Sequence, residues 1–317
     1  MTDTQNEVFK TPVNKIRLFE HGAPGSQNLK LTRKYYTEDM PDGRVKHIVQ
    51  NITDPDIVPY IPDGIGNSTD RQRIPAVLII PGGAFRRLVY NFEGEDVAKW
   101  LNSMGIAAFV LECRLPSDEH DNAEDVPLID AMRAMRVIRG RAQEFGIDKA
   151  KIGVMGFSAG GFMAALLSTA YESDVYADYK YKDEYDKLSA RPDFAVCSYP
   201  VISIYDCIEA GKRYMSEEQV LERISDSKAK ILHKYNPDKL VRPDMPPVFI
   251  CETDDDRTTL SENSVGFYMA ARKAGGSAEL HIFRTGGHGY GCGDDFAQTG
   301  EWKVLFTKWI KSIGIIS

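Results

Sequence analysis

Short apolar runs recur along the chain after Arg73 and alternate with segments of helical periodicity. The runs are apolar at nearly every position, not at every second one, which is typical of strands covered on both faces. They predict strands at residues 76–80, 106–111, 152–155, 194–201, 248–251 and 280–283. Strands separated by helices in this way predict an α/β fold, with a mostly parallel central sheet and helices on both faces.

Apolar residues three and four positions apart predict the intervening helices. In the segment 127–145, an apolar stripe faces one way, arginines face the other, and Gly146 follows. Such a helix packs one face on a sheet and ends at the glycine. The same periodicity predicts helices at residues 93–104, 160–171, 261–274 and 302–313.

The first 75 residues have a different pattern. Short alternating runs at residues 15–19 and 45–52 lie between stretches rich in proline, aspartate, asparagine and glycine. We expect edge strands joined by loops there. We therefore interpret residues 1–75 as an N-terminal arm packed on a main domain of residues 76–317, in a single-domain protein. A disordered leader is the alternative.

Two longer segments interrupt the alternation of strands and helices. Residues 171–191 are dense in tyrosine, aspartate and lysine, and residues 204–243 carry an amphipathic pattern around 220–235. We expect both at the carboxyl edge of the sheet, where insertions commonly carry function. They are predicted to form small cap insertions that wall a substrate pocket.

The amino-acid composition narrows the class of protein. With 317 residues, 43% of them hydrophobic, the chain can bury about three quarters of its surface on folding. It has 39 basic and 46 acidic residues, which argues against a nucleic-acid partner because such proteins carry a basic surface. No apolar run reaches the ~18 residues of a membrane span, so we expect no membrane partner.

The beginning of the sequence and the cysteines indicate a compartment. The first six residues are polar and acidic, unlike the basic and apolar regions of a secretory signal. The cysteines form no Cys-x-x-Cys pair, so we expect neither a zinc site nor a disulfide framework. Together these features predict the cytoplasm. The five cysteines are Cys113, Cys197, Cys207, Cys251 and Cys292.

The strongest local motif is G-x-S-x-G at residues 156–160, with Ser158 at its centre. A predicted strand leads in and a predicted helix leads out, so the sharp turn between them exposes the serine hydroxyl in a strained conformation. The positive end of the helix dipole lies beneath that hydroxyl. The motif predicts Ser158 as a nucleophile. A phosphate-binding turn is the alternative, although the G-x-G-x-x-G and G-x-x-x-x-G-K-[ST] patterns are absent here.

A serine hydroxyl becomes a good nucleophile only when a base takes its proton. Among six histidines, His288 is the best candidate, because it follows a predicted strand within the glycine-rich segment 286–291. Such glycines let a loop bend sharply and present one imidazole. A glycine-rich turn that happens to hold a histidine is the alternative. The remaining histidines are His21, His47, His120, His233 and His281.

The base needs a carboxylate to orient it. Asp254, Asp255 and Asp256 all follow the predicted strand 248–251. In the usual loop, the triad acid lies a few residues beyond the end of the strand, which favours Asp256 first and Asp255 second. The alternative is a charged turn or an acidic metal-binding loop. The chain order serine, acid, histidine is that of α/β-hydrolases and differs from the orders of chymotrypsin and subtilisin.

A tetrahedral intermediate needs hydrogen-bond donors for its oxyanion. The segment 81–85, Pro-Gly-Gly-Ala-Phe, follows the first strong predicted strand, where the HGGG-type loop of such enzymes lies. We expect the oxyanion donors to be the backbone amide of Ala159 and that of Gly83 or Ala84. The proposed chemistry requires no metal and no organic cofactor.

These motifs together resemble the α/β-hydrolase esterases of the acetyl-xylan-esterase type, also called xylanase-like carbohydrate esterases. The resemblance covers residues 75–295 approximately, and many moderate motifs agree in order. The matching stretches are residues 81–83, 93–95, 98–101, 114–116, 127–133, 152–161, 186–194, 199–202, 246–247, 255–256, 262–264 and 286–291.

The chain departs from the family pattern near the proposed site. Ala84 stands where a third glycine is common, and Phe85 stands where the family often has tyrosine. Around the acidic loop, Glu252 replaces a histidine or alanine and Thr259 replaces a valine. Aligning residues 262–264 with the family places the acid at Asp256, in agreement with the loop spacing.

Three further residues are candidates for substrate binding. Phe85 and Arg86 lie in the proposed oxyanion loop, and Tyr290 follows His288. Arg86 and its neighbour Arg87 add charge near the mouth of the site, where they can contact sugar hydroxyls or a carboxylate. Solvated surface arginines are the alternative.

The resemblance implies a serine carboxylesterase that removes acetyl groups from sugars or xylan-type oligosaccharides. The expected partner is a small-molecule or oligosaccharide ester, and the sequence leaves a homo-oligomer open. One alternative is a broad short-chain ester hydrolase. A second is a prolyl-oligopeptidase-like serine peptidase, and a third is a non-catalytic protein on the same fold. The short segment before the main domain disfavours the peptidase, and the filled triad positions disfavour the non-catalytic protein.

Overall fold

A central sheet of eight strands organises the part of the chain that the structure describes. The computed structural model describes residue 9 and residues 13–65, 73–225, 230–293 and 298–317. The strands of this sheet are β1 (Ile16–Arg17), β4 (Asp56–Tyr60), β5 (Ile74–Ile80), β7 (Ala107–Glu112), β8 (Ile147–Phe157), β9 (Ala195–Ser198), β10 (Val248–Thr253) and β11 (Ala278–Phe283). Their spatial order is β1-β4-β7-β5-β8-β9-β10-β11.

The sheet is parallel from β7 to β11 and antiparallel at its other edge. Strands β7, β5, β8, β9, β10 and β11 pair in parallel, whereas β4 pairs antiparallel with both β7 and β1. Every residue of β7 and β10 is buried. This burial explains their continuous apolar sequences, because a strand covered on both faces has no polar side.

Helices cover the sheet and connect the parallel strands. Trp100 of the first helix packs edge-on against Trp302 and Phe306 of the last, and the second and third helices pack together. The mostly parallel α/β sheet predicted from the hydrophobic pattern is therefore confirmed. The helices are α1 (Asp96–Ser103), α2 (Val126–Gly140), α3 (Ala159–Ala170), α4 (Ile204–Tyr214), α5 (Glu217–Ser225), α6 (Lys230–Lys234), α7 (Ser261–Lys273) and α8 (Glu301–Ser312).

The N-terminal residues contribute to two sheets. Strands β1 and β4 join the large sheet, while β2 (Lys34–Asp39), β3 (Val45–Gln50) and β6 (Leu88–Val89) form a small antiparallel sheet. Strand β6 comes directly after the proposed oxyanion loop, so the small sheet is tied to that loop. The described part of residues 1–75 thus contributes strands to both sheets.

The predicted elements agree with the observed ones in type and differ at their ends. Helix α1 begins at Asp96 because a π-helical turn, Asn91–Glu95, precedes it. The amphipathic pattern around residues 220–235 belongs to the two helices α5 and α6. In the described parts of the chain, no helix is both long enough and apolar enough to cross a membrane.

Candidate active site

Ser158 lies at the sharp turn between β8 and α3. Its backbone has φ 53° and ψ −116°, a strained conformation for a residue with a side chain. A Cβ atom on Gly156 would lie 1.9 Å from the carbonyl oxygen of Gly160, and one on Gly160 would lie 2.0 Å from that of Ile80. The turn therefore requires glycine on both sides of Ser158, which is the reason for the G-x-S-x-G spacing.

The structure brings Ser158, His288 and Asp256 into one hydrogen-bonded line. Ser158 Oγ lies 2.8 Å from His288 Nε2, and His288 Nδ1 lies 2.6 Å from Asp256 Oδ2. Asp256 follows β10 and His288 follows β11, and both strands run parallel to β8. Because the carboxyl ends of parallel strands meet at one edge of a sheet, residues far apart in sequence converge there.

Asp256 is held as a carboxylate by several donors. Asp256 is 2% exposed, and its Oδ1 accepts hydrogen bonds from the amides of Thr258 at 2.7 Å and Thr259 at 3.0 Å. The Thr259 hydroxyl donates to Oδ2 at 3.0 Å. Burial alone would raise the pKa of Asp256, but the bond and charge of His288 and these amides hold that pKa below its usual value.

Asp255 has a different set of contacts from Asp256. Its Oδ1 accepts hydrogen bonds from the amides of Gly286 at 3.0 Å and Gly287 at 2.8 Å. Asp255 thus holds the loop that carries His288 and does not contact the imidazole itself. The geometry separates the two carboxylates that the sequence left open, and it places Asp256 beside His288.

Two of the three predicted oxyanion donors line the same cavity as Ser158, and the third directly follows Ser158 in the chain. Gly83 and Ala84 face the cavity that contains Ser158 and His288, and Ala159 is the first residue of α3. In the described part of the chain, no carbonyl accepts from the amides of Gly83, Ala84 or Ala159. Free N–H groups beside a nucleophile are suited to hold a developing negative charge.

A buried carboxylate, Glu93, lies behind the oxyanion loop. Glu93 is 5% exposed, and its Oε2 accepts a hydrogen bond of 2.7 Å from the amide of Gly82. Its Oε1 accepts one of 2.9 Å from the hydroxyl of Tyr199. Burial raises the pKa of Glu93, while the nearby His288 and these two bonds oppose the rise. Glu93 therefore holds the oxyanion loop in place through the amide of Gly82.

Two of the three candidate substrate-binding residues lie behind the cavity wall. Phe85 is 7% exposed and Tyr290 is 5% exposed, and neither lines the cavity beside Ser158. Phe85 packs edge-on against Phe162, and Tyr290 packs against Tyr199 with ring centroids 4.5 Å apart. These large rings pack in the core, so neither ring lines this cavity, and the substrate-binding roles of Phe85 and Tyr290 stay predictions.

The cavity beside Ser158 is walled by the N-terminal hairpin. Its volume is about 470 Å³, and Arg86, the third candidate substrate-binding residue, lines it. The insertions at residues 171–191 and 204–243, expected to form substrate walls, contribute no described side chain to this cavity. From strands β2 and β3 and the turn between them it receives Tyr36, Met40, Arg44, Lys46 and Gln50.

Comparison with known proteins places the chain in a family. The BD-FAE family model matches residues 65–270, which is more than half of the chain. The chain belongs to the BD-FAE family. The resemblance to acetyl-xylan-esterase-type proteins seen in the sequence is therefore confirmed.

Individual relatives of this BD-FAE chain agree with that placement. The acetylxylan esterase of Xylanibacter ruminicola is 30% identical over 240 residues, which are 75% of this chain and 45% of that protein. A Butyrivibrio fibrisolvens endo-1,4-beta-xylanase B is 31% identical over 227 residues, or 71% of this chain and 34% of that protein. The BD-FAE chain thus spans less than half the length of these two curated relatives.

Solved structures show the same fold over nearly the whole chain. The acetyl ester-xyloside bifunctional hydrolase of Caldicellulosiruptor lactoaceticus is 34% identical, with a TM-score of 0.70 over 96% of this chain and 97% of that one. A thermophilic esterase of Thermogutta terrifontis is 24% identical, with a TM-score of 0.64 over 93% and 96% of the two chains. The BD-FAE chain has the α/β-hydrolase fold, as its sequence predicted.

Sequence reasoning missed several residues that contact this site. Glu93 and Tyr199 stood in matching stretches of the family resemblance but received no role, because their contact joins residues 106 positions apart. Lys46 lies in the predicted arm, and its alternating strand gave no sign of the cavity. Thr259, noted only as a departure from the family pattern, lies 3.2 Å from His288 Nδ1 as well as beside Asp256.

Proposed function

We propose that this chain is a serine carboxylesterase that hydrolyses acyl esters, chiefly acetyl esters of sugars or xylan-type oligosaccharides. The observation that carries the proposal is the hydrogen-bonded line Asp256–His288–Ser158, near the amides of Gly83, Ala84 and Ala159, which bond to no carbonyl of the described residues. Nucleophile, base, orienting acid and oxyanion donors are the parts that acyl transfer to water needs.

In the first half of the proposed cycle, Ser158 attacks the ester carbonyl. His288 Nε2 takes the hydroxyl proton, and Asp256 holds the ring through Nδ1 and stabilises the imidazolium. The carbonyl oxygen becomes an oxyanion, to which the amide of Ala159 and that of Gly83 or Ala84 donate. The intermediate then expels the alcohol, which receives the proton from His288 and leaves an acyl group on Ser158.

In the second half, water replaces the alcohol. His288 takes a proton from water, the resulting hydroxide equivalent attacks the acyl carbonyl, and the same amides hold the second oxyanion. Collapse releases the carboxylic acid and returns the proton to Ser158 Oγ. Every proton that leaves one oxygen arrives at another, so His288 ends the cycle neutral.

The substrate class comes from the relatives. Proteins that are 30% and 34% identical are named for acetylxylan and acetyl ester-xyloside hydrolysis, and both support an acetylated saccharide as the ester. The cavity of about 470 Å³ has room for more than a short acyl group.

Replacement of Ser158 tests the proposal. Wild-type protein is expected to release acetate from acetylated xylo-oligosaccharides and p-nitrophenol from the acetyl ester. Ser158→Ala is expected to lose at least about 10³-fold in kcat. A fluorophosphonate is expected to label wild-type protein and not the variant. Near-wild-type turnover by Ser158→Ala would refute the mechanism. Cleavage of peptide anilides but not of acetyl esters would favour the peptidase. Equal rates of hydrolysis of simple acetyl esters and of sugar acetyl esters would favour a broad esterase.

A further inference from the structure

The wall of the cavity beside Ser158 is rich in cations, although the whole chain has a formal charge of −7. Arg44, Lys46, Arg86 and Arg87 line it, and among its described lining residues Glu93 is the carboxylate. Both oxygens of Glu93 already accept hydrogen bonds within the protein. A concave site lined by one sign of charge attracts ligands of the opposite sign.

Lys46 differs from two of these cations because no carboxylate in the described part of the chain forms an ion pair with it. Arg87 forms an ion pair with Glu38, and Arg44 forms one of 2.8 Å with Asp42. Within the described ranges, no ion pair joins Lys46 to a carboxylate. Lys46 is only partly exposed, and its charge acts on the buried Glu93 carboxylate without forming an ion pair with it.

The pairing of the strands, together with Arg87, explains why Lys46 forms no ion pair with the nearby Glu38. In the β2–β3 hairpin, Lys46 lies directly opposite Glu38, where oppositely charged side chains normally attract each other. The Glu38 carboxylate instead bonds to Arg87 on the loop before β6. Lys46 is therefore available to a group that enters the cavity.

The rest of this wall is ordered by hydrogen bonds. The hydroxyl of Tyr36 donates to Gln50 Oε1 at 3.2 Å, and Gln50 Nε2 donates to the carbonyl oxygen of Arg86 at 3.1 Å. The hairpin that carries Lys46 is thereby joined to the proposed oxyanion loop. A charged group on this hairpin keeps a fixed place relative to Ser158.

We propose that Lys46 forms a subsite for a carboxylate on the alcohol part of the ester. The inference rests on the proposed esterase function and names its substrate class as an acylated saccharide that bears an acid group, such as a uronic acid. A short acyl group next to Ser158 fills little of the cavity of about 470 Å³, which leaves the hairpin wall to the alcohol. A carboxylate bound to the Lys46 ammonium forms a strong, charge-assisted hydrogen bond.

The test compares two acetate esters that differ in one charge. The esters are 4-acetoxybenzoate and its neutral methyl ester, and the readout is the ratio of their kcat/KM values. The two esters differ in intrinsic chemical reactivity, but this difference is the same for every variant, so it cancels when their kcat/KM ratios are compared. Lys46→Gln is expected to lower the ratio about tenfold, and Lys46→Arg is expected to keep it. Lys34→Gln removes an exposed lysine of the same hairpin that does not line the cavity, and is expected to leave the ratio unchanged.

The outcomes separate this inference from the function on which it rests. If Lys46→Gln hydrolyses both esters with the wild-type ratio, the subsite is refuted and the esterase function stands. If wild-type protein hydrolyses neither ester nor any other acetyl ester, the esterase function fails and the inference fails with it. A third arm uses a phenyl ester of succinic acid, whose carboxylate is on the acyl side. A greater dependence of this ester on Lys46 would overturn the placement on the alcohol side.

Discussion

The hydroxyl of Tyr199 donates a hydrogen bond of 2.9 Å to Glu93 Oε1, and this bond joins three loops of the candidate active site. Glu93 Oε2 accepts from the amide of Gly82 in the oxyanion loop. The Tyr199 hydroxyl accepts from the amide of Gly291, in the loop that carries His288. One buried carboxylate thus sets the position of the oxyanion loop relative to the histidine loop.

We expect Glu93→Gln to lower kcat by about 10- to 100-fold. An amide has one acceptor oxygen where the carboxylate has two, so either the Gly82 amide or the Tyr199 hydroxyl loses its buried acceptor. An unsatisfied buried group costs about 1–3 kcal/mol, and here that cost displaces the oxyanion loop. The measurement is steady-state hydrolysis of a short acetyl ester, in which KM is expected to change less than kcat.

The control for this variant is Glu95→Gln. Glu95 is two residues along the chain and pairs with Lys99 at the surface, at 2.8 Å, so its loss is expected to leave kcat within about twofold, since exposed pairs contribute little. Wild-type kcat in Glu93→Gln with normal unfolding behaviour would show that the loop does not depend on this carboxylate.

The two neighbouring aspartates of the acidic loop provide a matched pair. Asp256→Asn is expected to lower kcat by about 10³- to 10⁴-fold, because an amide facing His288 Nδ1 favours the wrong tautomer of the imidazole. Asp255→Asn keeps an oxygen that can accept from Gly286 and Gly287, and is expected to cost no more than about tenfold. Parallel kcat/KM measurements decide, and a greater loss in Asp255→Asn would reverse the assignment.

His120 is expected to make the stability of the fold depend on pH. Arg114 Nη1 donates to Ser26 Oγ at 2.8 Å, and Ser26 Oγ lies 3.0 Å from His120 Nδ1. Burial and the nearby positive charge of Arg114 disfavour a second proton on the ring, so His120 is neutral in the folded protein and Nδ1 can accept from the Ser26 hydroxyl. Burial and the charge of Arg114 lower the pKa of His120 from 6.5 to about 4.

The sign of the pH effect follows from this lowered pKa. Below about pH 6.5, His120 binds a proton in the unfolded chain but stays neutral in the folded chain. The free energy of unfolding therefore decreases progressively as the pH falls toward 4. Allowing for partial solvation of the site, we expect His120→Gln to reduce the loss of unfolding free energy between pH 7 and pH 5 by about 1 kcal/mol. Urea unfolding at both pH values measures it. His281→Gln, on β11, is the control for the loss of an imidazole elsewhere in the fold. An unchanged pH dependence in His120→Gln would show that His120 is not the source of the pH effect on stability.

Local patterns predicted the parts of the site that depend on local geometry. The sharp turn at Ser158 could be predicted because it requires glycine at positions 156 and 160. The proximity of Asp256 and His288 could be predicted because each follows a strand of the same parallel sheet. The α/β-hydrolase fold and the family, which these patterns predicted, are confirmed by the observed sheet and by the relatives. The catalytic roles of these residues stay predictions until the variants are measured.

Long-range contacts explain what the sequence could not predict. Lys46 lies in a half-polar strand, and nothing in its neighbours shows that β6 ties this strand to the oxyanion loop. Phe85 and Tyr290 flank reactive segments, yet their rings turn into the core against Phe162 and Tyr199. Which face of a loop residue is buried depends on partners elsewhere in the chain, and hydrophobic periodicity carries no information about them.

Gly83 is expected to be the most sensitive glycine of the oxyanion loop. Its φ is +139°, and a Cβ atom there would lie 2.1 Å from the carbonyl oxygen of Arg87. Gly83→Ala therefore has to move the loop, and we expect a loss of about 10²- to 10³-fold in kcat and about 1–3 kcal/mol in stability.

Ala84 is the matched control for that change. Its φ of 56° lies in the left-handed region that glycine adopts without strain. Ala84→Gly keeps the amide and relieves the strain, so we expect kcat within about threefold of wild type, since a glycine suited to its conformation changes stability by only about 1 kcal/mol. Turnover of an acetyl ester and thermal unfolding are measured for both variants. If Gly83→Ala retained full activity, the amides of this loop would not be the oxyanion donors, because the substitution cannot leave them in place.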